Sequence, residues 1–179
     1  PFALLWQKLD LWGRNPNTPK KFALGLAFLG LGFLAFAYSI HFISDAGKLP
    51  FGTLIIGWLL ITTGELCLSP IGLSKVTQLS PKQATAFFMG LWFLSSTVAH
   101  YIAGMLAKLT TSGQMTSSDG FLGKLNNMLF AGIDPNGVGV AEAMVYNDLF
   151  AKIGFVTIGI AVITLLISPL IKKLMGDVH

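Results

Sequence analysis

The stretch FGTLIIGWLLITTGELCLSPIGLS, residues 51–74, carries a single ionisable side chain, Glu65. Written as a helix it is about 36 Å long, enough to cross a hydrocarbon core about 30 Å thick. Glu65 then lies about 21 Å from Phe51, too deep to reach water easily. A charge at that depth costs a few kcal/mol or more, so it faces a protein interior or a watery cavity and marks a functional site. Thr62, Glu65, Ser69 and Gly72 follow one another at i, i+3, i+7 and i+10 and therefore share a face. Pro70 lacks a backbone donor and is expected to kink the segment.

Around this stretch the chain has three more segments of similar character. Residues 22–43 form an apolar span in which Gly25, Gly30 and Gly32 permit close helix packing. Residues 86–107 form another, with Phe88, Trp92, Ser95, Ser96 and Ala99 on one broad side. Its small residues Ser95, Ala99, Ala103 and Ala107 make a ladder suited to a neighbouring helix. The last lipid-length core covers residues 153–171, its helix beginning as early as Ala141, and Ser168-Pro169 bends or ends it. Between the third and fourth spans, residues 108–150 make a long polar connection with a short amphipathic piece at 121–129 and a turn at Asp134-Pro135-Asn136-Gly137. Residues 1–12 read as the end of a preceding helix, broken by the prolines and asparagines of GRNPNTPKK. No signal peptide is visible before Pro1, and the sequence is expected to be a piece of a longer chain.

Composition agrees with an all-α integral membrane protein: 53% of the residues are apolar and 11% charged, and the mean hydropathy is +0.69. The net charge of +4 does not indicate nucleic acid, because Lys and Arg stand in small groups at the ends of apolar runs rather than in a basic stripe. Those groups report orientation instead. Lys8, Arg14, Lys20, Lys21, Lys75, Lys82, Lys172 and Lys173 fall on one side, against Lys48, Lys108, Lys124 and Lys152 on the other. The first side is expected to be cytoplasmic, and with it the C-terminus. Cys67 has no partner cysteine and reads as a small core hydrophobe. No phosphate loop, metal-ligand cluster or nucleophile–base pair accompanies Glu65, so neither an enzyme nor a metal site is expected.

The candidate site residues are Glu65, Ser69, Trp92 and Ser96. Trp92 lies about 9 Å from the start of its span and Glu65 about 14 Å from the same membrane side, so the two can flank one cavity. Each residue also has a structural reading. Glu65 can pair with a cation from another helix, and Trp92 can anchor or pack. Ser69 can satisfy backbone groups freed by Pro70, and Ser96 can pack between helices. His41 and His100 lie toward membrane edges and read as structural.

GELCLSPIGLSKVTQLSP (64–81) followed by FFMGLWFLSS (87–96) closely resembles the tenth and eleventh helices of the proton-dependent oligopeptide transporters, a branch of the major facilitator superfamily. The resemblance extends upstream through LWQKLDLWGRNPNTPKKFALGL and downstream to SPLIKKLM, covering nearly the whole chain. It implies that the four spans are helices 9 to 12, forming most of the C-terminal bundle. The N-terminal six-helix bundle, with its ExxER-type signature, lies outside this sequence. The short connection at 44–50 resembles bacterial members, since animal members carry a large domain there.

The resemblance further implies symport of di- and tripeptides with protons across a bacterial inner membrane, driven by the proton gradient without a cofactor. Glu65 matches a glutamate that lies near the peptide amino terminus in the family. A role for Glu65 in proton coupling is a further expectation. Two other functions fit the residues: a different major facilitator transporter, such as a drug antiporter or sugar symporter, and a four-span structural subunit.

Overall fold

The computed structural model describes residues 8, 11, 16–44, 48–111, 121–129, 131–133 and 140–175. Among the described residues all regular structure is helical: α1 Thr18–Tyr38, α2 Phe51–Leu79, α3 Thr85–Thr111, α4 Phe121–Leu129 and α5 Val140–Met175. A 3-10 turn, Ser39–Phe42, extends α1. Four helices are long and apolar enough to cross a membrane, over Thr18–Phe42, Phe51–Leu79, Thr85–Met105 and Ala143–Leu170. Lys8 and Leu11 are helical, but the rest of the preceding helix expected at 1–12 lies outside the described residues, as does the turn at 134–137.

Local chemistry sets the helix ends. Pro19 sits in the first turn of α1, where its missing N–H would have had no helical partner. At the other end the Ser39 hydroxyl donates to the Phe36 carbonyl as the α-helix tightens into the 3-10 turn. Pro50 precedes α2 and accepts a hydrogen bond from the Thr53 hydroxyl at 2.8 Å. α2 closes at Ser80, immediately before Pro81. Pro70 does not end it: α2 continues helical for nine residues beyond, to Leu79.

α1 is the spine of the assembly, with α2 on one side and α5 on the other. It runs antiparallel to both. Gly25 meets Gly64 and Gly32 meets Gly57, while Gly30 meets Gly154. A Cβ placed on Gly64 would lie 2.7 Å from the Gly25 carbonyl oxygen, and one on Gly30 would lie 3.0 Å from that of Gly154. Helices in lipid gain nothing from excluding water between them, so this backbone-to-backbone approach is what supplies their dispersion contacts. Aromatic rings complete the end of α1 toward Tyr38. Phe36 packs edge-on against Trp58 of α2 at 6.1 Å, lies tilted against Phe150 of α5 at 5.7 Å, and covers Gly57. Beyond it, His41 Nε2 lies 2.6 Å from the Leu129 carbonyl oxygen, tying the short helix α4 to the end of α1.

Two features depart from expectation. The last helix begins at Val140, one residue before the Ala141 expected for it, but its candidate span takes in Asp148 and Lys152, charges that lie outside the lipid-length core expected at 153–171. Those two charges form an i,i+4 ion pair at 2.7 Å, which lets the helix carry them at its edge. α3 is the other departure: none of its most apolar window is buried, and it touches α2 and α5 only lightly.

Replacing Gly64 or Gly30 with valine should lower the thermal midpoint of the detergent-solubilised protein through about 1–3 kcal/mol of overpacking. Gly90→Ala, where nothing lies within 4 Å, should leave the midpoint near the native value.

Candidate functional site

Gly64 faces α1, and that fixes the direction of Glu65. Successive residues on a helix are separated by 100°, so the residue after the contact glycine turns away from α1 onto the adjoining face. There Glu65 is exposed, as are Thr62 and Ser69. Among the described residues Glu65 makes no ion pair or hydrogen bond. The cation nearest in sequence, Lys75, instead donates to Gln78 Oε1 at 2.9 Å.

The fourth residue of this row behaves differently. Gly72 is buried, and what covers it is the indole of Trp92. A Cβ on Gly72 would overlap the Trp92 ring, its nearest atom being Cη2 at 2.2 Å. Gly72 lies seven residues from Glu65, about 10 Å along the helix axis. The half-buried Trp92 is thus seated on α2 itself, on the side that carries the carboxylate, through the one position of the row that has no side chain.

Of the serines, Ser69 is exposed one turn beyond Glu65, and its hydroxyl makes no hydrogen bond among the described residues. Ser96 is exposed on α3. Ser95 donates to the Trp92 carbonyl at 2.6 Å, a hydrogen bond within its own helix. The structure therefore brings Trp92 to the Glu65-bearing helix, while Ser96 stands one helical turn beyond Trp92 on α3. The seat at Gly72 was not foreseen, although a glycine two turns from an intramembrane acid was a signal that something must approach there.

Toward the Phe51 end, the surface of α2 carries an open apolar groove of about 620 Å³ lined by Trp58, Thr62, Thr63 and Leu66 among others. The Thr63 hydroxyl is satisfied by the Leu59 carbonyl at 2.7 Å, and Thr62 stands at the boundary between the groove and the polar row. Among the described residues no cluster of His, Cys, Asp or Glu could hold a metal ion.

These are the features of a multi-pass helical membrane protein with an acid displayed mid-span. The profile of the POT family, PTR2, matches residues 3–127. The chain belongs to that family. It is 32% identical over 175 residues to a dipeptide and tripeptide permease B of Aeromonas hydrophila, covering 97% of this chain and 31% of the permease. It is 33% identical over 178 residues to a dipeptide and tripeptide permease A of Edwardsiella piscicida, covering 98% and 31%. An uncharacterized Bacillus subtilis transporter, YclF, is 32% identical over 177 residues, covering 99% and 29%. The chain thus spans about a third of the length of these relatives.

Filling the seat tests the geometry. Gly72→Val should displace the indole and change the tryptophan emission spectrum, and the same substitution in a Trp92→Phe background should produce no such change.

Proposed function

We propose that this chain forms helices 9 to 12, most of the C-terminal bundle, of a transporter that carries di- and tripeptides together with protons across a bacterial inner membrane. The observation that carries this reading is Glu65, an exposed mid-span carboxylate turned away from α1 and without an ion pair among the described residues. Family membership and the names of the related permeases support it. The protein is a transporter rather than an enzyme.

A peptide presents an ammonium at one end, a carboxylate at the other and variable side chains between. A site that accepts many sequences grips the ends and stays loose in the middle. Glu65 supplies the negative pole for the ammonium, and Ser69 adds a hydroxyl one turn further on. Trp92 gives a broad wall tolerant of different side chains, with Ser96 a further hydroxyl on α3. The opposing groups come from the N-terminal six-helix bundle of the same transporter, and the two bundles rock about the site in alternating access. A cation from that bundle pairs with Glu65 when the site is empty, so substrate ammonium competes for the carboxylate. Through this competition Glu65 takes part in proton coupling. The proton gradient drives the cycle, and no cofactor is required.

Uptake of labelled dialanine into vesicles containing the full transporter, under an inward proton gradient, tests the reading. Glu65→Gln should reduce uptake about a hundredfold, the factor carried by about 3 kcal/mol for a broken buried ion pair. Counterflow exchange in parallel separates the roles: loss of both activities places Glu65 in binding or the conformational cycle, and loss of uptake alone places it in coupling. N-acetylated dialanine should fail to compete with the free peptide, whereas equal competition would count against recognition of the termini. The orientation has its own check. A cysteine at Lys82 should be shielded from an impermeant maleimide in intact cells, and one at Lys48 should react.

A further inference from the structure

The short helix α4 takes no part in the row that carries Glu65, and it turns an apolar stripe outward. Phe121 is 75% exposed and Met128 is 80% exposed. Seven residues separate them, about 20° short of two full turns, so they share one stripe about 10 Å long. Gly123, about 200° round the helix from Phe121, is buried. α4 thus sets its glycine toward the protein and its large apolar side chains away from it, the reverse of a helix whose outer face meets water.

Two contacts fix the level at which α4 sits. Its last carbonyl, that of Leu129, lies 2.6 Å from His41 Nε2, and His41 belongs to the 3-10 turn that closes the candidate span Thr18–Phe42. α4 also touches α5, whose candidate span starts at Ala143. Tyr38, its ring 4.7 Å from that of His41, is exposed at the end of its span, the depth at which tyrosine meets lipid headgroups. The C-terminal end of α4 is therefore held at the membrane boundary.

The charge on α4 selects the occupant. Lys124 is its one ionisable residue, and it is exposed. It stands about 60° from Phe121 and about 40° from Met128, so a cation borders the apolar stripe. A lysine so placed lays its stem along apolar surface while its ammonium reaches outward. A second copy docking through this face would bring Lys124 against its own counterpart. Phospholipid presents a phosphate beside acyl chains, matching both halves of the face, and it is continuous with the lipid around the spans.

We propose that α4 is an interfacial anchor, with Phe121 and Met128 sunk where phospholipid headgroups meet acyl chains and Lys124 at the phosphates. The leaflet is the one at the Tyr38 end, the outer leaflet in the orientation proposed above. The anchor does not depend on what the protein transports.

Nitroxides at single cysteines, Phe121→Cys or Met128→Cys, test the assignment in the full transporter reconstituted in phosphatidylethanolamine and phosphatidylglycerol liposomes, with Cys67 and any other cysteine replaced by alanine. Oxygen concentrates among acyl chains and a neutral nickel chelate stays in water, so the ratio of their collision rates reports depth. Both labels should favour oxygen and lie about 5–10 Å into the boundary between headgroups and acyl chains. Lys48→Cys, exposed in the turn on the same membrane side, is the aqueous reference. Nickel collisions at 121 and 128 equal to those at 48 overturn the proposal. Shielding from both reagents also overturns it, marking a protein partner or a second copy instead. Lys124→Glu, an exposed change that keeps the apolar stripe, should raise nickel collisions at 128 several-fold, and unchanged collisions overturn the placement of Lys124 at the phosphates.

Discussion

The fold rests on backbone approach at glycines. Between two helices in a bilayer there is no water to expel, so their association depends on how many atoms come into contact and how closely. Gly25 with Gly64, Gly32 with Gly57 and Gly30 with Gly154 bring three helices together around α1 with little side-chain bulk between them. The buried core reflects the same constraint. Among the described residues four of its nine apolar members are alanines, with Cys67, Ile40 and Ile61 among the larger ones, and Phe36 sets its ring between α2 and α5.

One of those contacts also orients the polar chemistry. With Gly64 held against Gly25, Glu65 has one direction left to it, away from the helix that α2 packs on. A bulkier residue at 64 would push the helices apart and rotate the carboxylate with them. Packing and chemistry are therefore adjacent in sequence. Two turns along, Gly72 does the reverse: it lies in the polar row by spacing but is buried beneath Trp92, so a row of four positions divides into three that face outward and one that holds α3.

Much of this was legible from residue types. Hydrocarbon-length apolar runs located the four membrane-crossing helices, and the rarity of a mid-span acid singled out Glu65. The residues of 64–81 and 87–96 carried the family, which the match over residues 3–127 then established. The start of the last span was less visible. The lipid-length core at 153–171 stops short of Lys152, whereas the candidate span takes in both Asp148 and Lys152, which neutralise one another across one turn. Pro70 does not end α2, which remains helical to Leu79. The Trp92 seat required knowing which way α3 turns toward α2, and periodicity within either helix alone holds no such information.

The central place of α1 has a consequence for how the protein is made. Gly64 follows Gly25 by 39 residues, but Gly154 follows Gly30 by 124, so the two flanks of α1 become available to their partners at different times. At about 5–20 residues per second, the second partner is synthesised roughly 6–25 s after Gly30. During that interval α1 and α2 can pair while the flank of α1 meant for α5 has no α5 to meet. The α1–α5 contact is consequently a late one, made on a surface already in the bilayer.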